Sequence, residues 1–247
     1  MTMKVLNVST HTPNDDMNSL GQAIVNKRSL LGSSASDYAI SLMDRVEVQV
    51  NLLNQTIMEE RVRAYSQQYV VEMKTISQNF YRMIASFAAM SSSSVRLSAQ
   101  TVLAVIEPYQ TKLVRSKRQL TVNSNITSML ADLEQDGMTG YLDNIMYANT
   151  MLADLKTAQA NFIASYADYR DLRSQQVAKA NATTLRKSLA RLINTELVVY
   201  LNAAIHEDAD TYGAFADAVA SIIKSHKSAL KARATRSRNA ASEAAEA

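Results

Sequence analysis

Residues 138–176, MTGYLDNIMYANTMLADLKTAQANFIASYADYRDLRSQQ, decide the fold class. Ile145, Ala148, Leu152, Leu155, Phe162, Tyr166 and Tyr169 recur at spacings of three, four or seven. Residues so spaced fall on one face of a helix with 3.6 residues per turn. The pattern predicts one long amphipathic helix over Met138–Gln176, with Gly140 loosening its start. An apolar stripe of that length needs other helices to cover it.

The rest of the chain supplies them. Among 247 residues there are only 5 glycines and 2 prolines, so long stretches carry no punctuation and few sites suit hairpin turns. Hydrophobic residues make up 47 %, enough for a sizeable core. Alanine, leucine, methionine, glutamine, lysine and arginine, all good helix formers, are abundant. The expected fold is all-α: an elongated, antiparallel up-down bundle of several long amphipathic helices.

Taken in order, Val5, Leu6 and Val8 suit an extended arm. Thr12-Pro13 followed by Asp15 and Asp16 reads as a helix start, with a capping hydroxyl, proline at the first helical position and acids at the positive end of the dipole. That helix is expected to end near Gly32. Ile40, Met43, Val46, Val50, Leu53 and Ile57 mark a second helix from Asp37, with a kink or break expected at Ser66–Gln68 before Val70, Met73, Ile76 and Phe80. The serines at 91–94 separate it from a shorter helix that Pro108 is expected to stop, since proline lacks the N–H and disfavours helix in the residue before it. A helix carrying Ile126, Met129, Leu130 and Leu133 follows and ends before Asp136-Gly137. After the central helix, Asn181 or Thr183 caps a helix bearing Leu185, Leu189 and Leu197. His206–Asp210 forms a turn, with Asp208 or Asp210 capping the last helix. The domain reading is an N-terminal arm and short helix at 1–35, a bundle at 36–230 and a basic, then Ala/Glu-rich, flexible tail at 231–247.

The absence of cysteine excludes disulfides, thiolate metal sites and cysteine nucleophiles. The N-terminal residues lack an apolar leader core, and the most apolar run, Leu197–Ile205, is about half the length of a membrane span. A cytoplasmic location is expected. No nucleophile elbow, P-loop, dinucleotide fingerprint or paired Glu-x-x-His occurs, and the histidines stand far apart at 11, 206 and 226. The adjacent His206, Glu207 and Asp208 do not share a helix face. No catalytic residue, cofactor, metal ligand or small-molecule substrate is assigned. The tyrosines read as packing residues with wet hydroxyls.

One compositional anomaly remains. Lys224, Lys227, Lys231, Arg233, Arg236 and Arg238 follow one another with no acid between them, although the whole chain carries only +3. Such a run suits contact with nucleic acid or another anion. Aromatic residues are not interleaved with it, so base-specific reading is not expected.

Several stretches also resemble a known family. They are VLAVIEPYQ (102–110), NSNITSMLADLEQD (123–136), residues 141–176, INTELVVYLNAAI (193–205) and DTYGAFADAVASIIKSHKSAL (210–230). Together they resemble an uncharacterised family of all-helical proteins from gut anaerobic bacteria, a domain of unknown function. The resemblance rests on loose packing patterns: Asn161-Phe162, then Tyr212 and Phe215, then the basic residues from Lys224. It implies a helical bundle over about residues 36–230, implies no known activity, and transfers no site residue.

The combined expectation is a non-enzymatic helical protein that acts through protein–protein contact or self-association, as a scaffold or assembly component. The alternatives are a nucleic-acid- or anion-associated protein using the basic tail, and a bundle that binds a small ligand.

Overall fold

The computed structural model describes residues 4–90, 93–174 and 180–246. Every regular element among them is helical. In chain order they are α1 (Asn14–Val25), a 3₁₀ turn (Arg28–Leu30), α2 (Asp37–Ala88), α3 (Ser93–Arg115), α4 (Gln119–Leu133), α5 (Met138–Asp143), α6 (Ala148–Ser174), α7 (Ala182–Leu192), a π-turn (Ile193–Leu197), α8 (Val198–Glu207) and α9 (Ala209–Glu246). The all-α expectation is met, with several long helices packed on one another.

The chain forms two compact units: Met1–Met58 with Gln175–Ala247, and Glu59–Ser174. The first has a core of Met17 and Ile24 from α1, Leu42, Val46, Val50 and Leu53 from α2, Leu189 from α7, Leu201 from α8, and Phe215, Val219 and Ile223 from α9. Gly21 lets α1 come close to its neighbours, because a Cβ there would lie 2.5 Å from Val50 Cγ2 and 3.1 Å from Leu189 Cδ2. The second unit buries Met73, Phe80 and Ile84 of α2 with Val102, Ile106 and Leu113 of α3, Ile126 of α4, and Leu155 and Phe162 of α6.

Caps fall where short polar side chains can take the first free amides. Asn181 accepts from the Thr184 amide at 2.8 Å, Asp208 from the Thr211 amide at 3.0 Å, and the Ser36 hydroxyl from the Ala39 amide at 3.2 Å.

Four expectations need correction. The central helix is two helices, α5 and α6, interrupted at Asn144–Tyr147, where Tyr147 has φ 66°. Asn144 donates to the Ser98 hydroxyl at 3.2 Å, and Asn149 donates to Asp143 at 2.7 Å across the break. Second, α2 runs unbroken through Ser66–Gln68. The Ser66 hydroxyl bonds back to the Val62 carbonyl and to Ser165, so a residue with a competing side chain is satisfied inside the helix. Third, Pro108 does not stop α3, which continues to Arg115 because Ile106 and Leu113 are both buried on either side of it. Fourth, α1 ends at Val25, short of Gly32, and the Thr12 hydroxyl donates to the Ser9 carbonyl in place of capping the helix.

The N-terminal arm is tied down in the first unit. Val5 and Val8 are buried. The Val5 amide donates to Asn202 Oδ1 at 3.0 Å while Asn202 Nδ2 donates to the Val5 carbonyl at 3.1 Å. Asn194 grips Val8 in the same two-point way, and Arg186 donates to the carbonyls of Thr10 and Thr12 at 2.7 Å each. The arm therefore runs antiparallel to α7 and α8. Residues eight apart stand about 80° apart around a regular helix. The wider π-turn takes up one extra residue and brings Asn194 and Asn202 closer to one line beneath the arm.

Candidate functional sites

The basic residues singled out from the sequence lie on α9. Lys224, Lys231, Arg233, Arg236 and Arg238 are exposed, and Lys227 is half-buried. At about 100° per residue, Lys224, Lys227, Lys231 and Arg238 form one stripe roughly 60° wide. Arg233 and Arg236 fall on another side. There Arg233 meets Asp16 of α1 at 2.6 Å, so its charge is engaged within the fold. His226 shares that side and is also half-buried. Burial pushes its pKa below the ordinary value, against the opposing pull of Asp16, with Arg233 lowering it further.

A second place was not picked out from the sequence. Ala104, Val105, Pro108, Tyr109 and Lys112 of α3, with Asp132, Gln135 and Met138, line an open groove of about 450 Å³. The Tyr109 hydroxyl donates to Asp132, whose other oxygen accepts from Gln135 at 3.3 Å. That bond to the carboxylate, followed by burial, holds the Tyr109 pKa above the ordinary tyrosine value. The Lys112 ammonium lies 5.7 Å from the centre of the Tyr109 ring. Because Pro108 has no N–H, the carbonyl of Ala104 cannot receive its regular intrahelical bond. The sequence signal was a proline within a helical pattern, read as a terminator.

In the first unit, Ser41, Asp44, Arg45, Val48, Gln49, Ser188 and Leu192 line another groove. Its charges are paired: Arg28 with Asp44 at 2.6 Å and Arg45 with Glu196 at 2.7 Å. Close by in sequence, Tyr212 accepts from the Ser36 amide at 2.9 Å and from the Tyr200 hydroxyl at 3.0 Å. Hydrogen bonding from Ser36 and then Tyr200 lowers the Tyr212 pKa, whereas burial raises that of Tyr200. These tyrosines tie the start of α2 to α8 and α9.

A third place is the break between α5 and α6. Tyr141, Met146 and Tyr147 are exposed there, as is Leu97, the neighbour in sequence of the Ser98 that holds Asn144. Tyr147 is 64 % exposed and sits in the left-handed region, which costs a residue with a Cβ about 1–2 kcal/mol. The two outlying histidines, His11 and His206, are exposed. Among the described residues no group of three His, Cys, Asp or Glu side chains is placed to hold a metal ion. No helix among them is long and apolar enough to cross a membrane.

A family described as of unknown function, DUF6261, matches residues 71–220. The chain belongs to this family. No curated protein and no solved structure matches it. The segment shared with DUF6261 contains the Tyr109–Asp132 groove and the exposed break at Tyr147. The basic stripe from Lys224 to Arg238 lies beyond that segment.

Proposed function

We propose that this DUF6261 protein is non-enzymatic and works by contact with another protein chain, as a scaffold or assembly component, through the apolar crest at Tyr141, Met146 and Tyr147. The observation that carries this reading is Tyr147. A bulky aromatic residue is held in a costly backbone conformation and left in solvent, where it contributes little to the core. Strain of this kind is kept where a site uses it. The position of the crest inside the family segment supports the same reading. A photo-crosslinking residue in place of Met146, read by mass spectrometry in the cells that make the protein, should capture one protein partner or a second copy. The Met146→Ser/Tyr147→Ser variant should abolish the corresponding complex in light scattering. A monomer with no crosslink at this position would sink the reading.

A second reading is favoured by the α9 stripe. Lys224, Lys227, Lys231 and Arg238 on one side of an exposed helix suit a polyanion such as duplex nucleic acid. Each phosphate neutralised contributes a slope of about −0.9 to the dependence of log affinity on log salt, so four contacts give a slope of roughly −3 to −4. Fluorescence anisotropy with a duplex oligonucleotide, repeated on Lys231→Glu/Arg238→Glu, tests it. Absent or salt-independent binding removes it.

A further inference from the structure

The Tyr109–Asp132 groove presents a carboxylate, an ammonium and a backbone carbonyl deprived of its regular helical donor, all beside apolar side chains. We propose that it binds a small zwitterion, a free α-amino acid with an apolar side chain.

The argument begins at Pro108. A proline inside a helix costs about 3 kcal/mol and leaves the carbonyl four residues earlier without its N–H partner. Ala104 and Pro108 both line the groove, which places the carbonyl that lacks its helical donor beside it. Lys112 stands about one turn beyond Pro108 and lines the same groove. An acceptor and an ammonium in one groove suit an α-amino acid, whose ammonium and carboxylate are joined through a single carbon. Asp132 adds the second acceptor for the ligand ammonium. Tyr109 and Gln135 fix the carboxylate but do not exhaust it, since an ionised carboxylate has about four acceptor positions. Val105, Pro108 and Met138 supply the apolar surface on which the ligand side chain would lie. A simple anion would meet Asp132, and a simple cation would meet Lys112. A molecule carrying both charges meets neither repulsion.

The test is titration calorimetry with L-leucine, leucinamide, N-acetyl-leucine and glucose as probes, on the full chain and on Lys112→Met and Asp132→Asn. L-Leucine should bind saturably. Leucinamide and N-acetyl-leucine, which each lack one charge, should bind at least about tenfold more weakly, the scale of one charged hydrogen bond. Lys112→Met should weaken L-leucine by a similar factor and leave leucinamide as tight or tighter, because leucinamide has no carboxylate to lose and is relieved of the Lys112 repulsion. Lys112 is exposed, so its replacement leaves the fold intact, and that crossed comparison does not depend on the behaviour of Asp132→Asn. No saturable binding of L-leucine overturns the proposal. So does equal binding of the three leucine compounds, or indifference of L-leucine to Lys112→Met. Glucose binding as tightly as L-leucine would assign the groove to neutral polyols and overturn it as well.

Discussion

Asn194 and Val8 exchange two hydrogen bonds: the side-chain amide accepts from the Val8 N–H at 2.6 Å and donates to the Val8 carbonyl at 2.9 Å. An asparagine here does for an extended chain what a neighbouring strand would do. Asn194→Ala leaves both backbone groups without these partners and should cost about 1–3 kcal/mol, the penalty for unmet polar groups. The arm can then peel away, so the loss is capped by what the arm contributes. Urea denaturation measures the cost, and hydrogen exchange at the Val8 amide should rise before that of the helices.

Gly21→Ala should destabilise the protein, although alanine is the better helix former by about 1 kcal/mol. The added methyl would lie 2.5 Å from Val50 Cγ2, and a β-branched side chain has few rotamers with which to retreat. Overpacking of this kind costs about 1–3 kcal/mol. The double variant Gly21→Ala/Val50→Ala should recover part of the loss attributable to the clash, as a double-mutant cycle in denaturant would show.

Phe162→Ala removes a fully buried ring from the core of the second unit and should cost about 3–5 kcal/mol. Thermal melts monitored by circular dichroism give the comparison. A loss under about 1 kcal/mol would contradict the packing described.

Tyr147→Gly relieves the left-handed strain and gives up little burial. The relief is partly offset by the greater freedom of glycine in the unfolded chain. Stability should be unchanged or higher by up to about 1 kcal/mol, while the contact function proposed for the crest is lost.

The depressed pKa of His226 gives a signed pH dependence. The folded state favours the neutral imidazole, so the unfolded state binds more protons at a pH between the two values. The contribution is fully present above the ordinary histidine value of 6.5 and is lost as pH falls through the lower folded value. An NMR titration should place the imidazole midpoint below 6.5, and Asp16→Asn, which removes the carboxylate opposing the shift, should lower it further.

Helices were legible in this sequence because their apolar spacing is local. Ile40 to Ile57 and Val70 to Phe80 marked the two stretches that the structure joins as α2, and of the paired cap candidates, Asn181 or Thr183 and Asp208 or Asp210, the first of each caps its helix. The break at Asn144–Tyr147 escaped because it preserves the pattern: Leu142 before it, Ile145 within it, and Ala148 and Leu152 after it are all buried, so the spacing reads through the interruption. Pro108 and Ser66 misled in the other direction. Each violates a local preference that buried neighbours override. The arm was legible from Val5 and Val8, but its grip was not. Asn194 and Asn202 sit nearly the whole chain away, and nothing near them in sequence marks them as partners of a backbone. The groove was invisible for a similar reason, since Tyr109 and Asp132 meet only when α3 packs on α4.

The π-turn at Ile193–Leu197 has a consequence for which mutations the segment can absorb. Substitutions on its exposed side would be mild, because the turn is defined by backbone bonds. Deleting one residue inside the turn is also mild, because the turn is where the extra residue is taken up. A regular helix would form in which Asn194 and Asn202 stand seven apart, about 20° from one line, so Leu201 and Ile205 keep their core face and Asn202 stays beneath Val5. Deleting one residue from the regular part of α7 would instead swing everything beyond it by about 100°. The segment thus holds a spare residue that its neighbours lack, a distinction that a deep scan combining substitutions with single-residue deletions would expose directly.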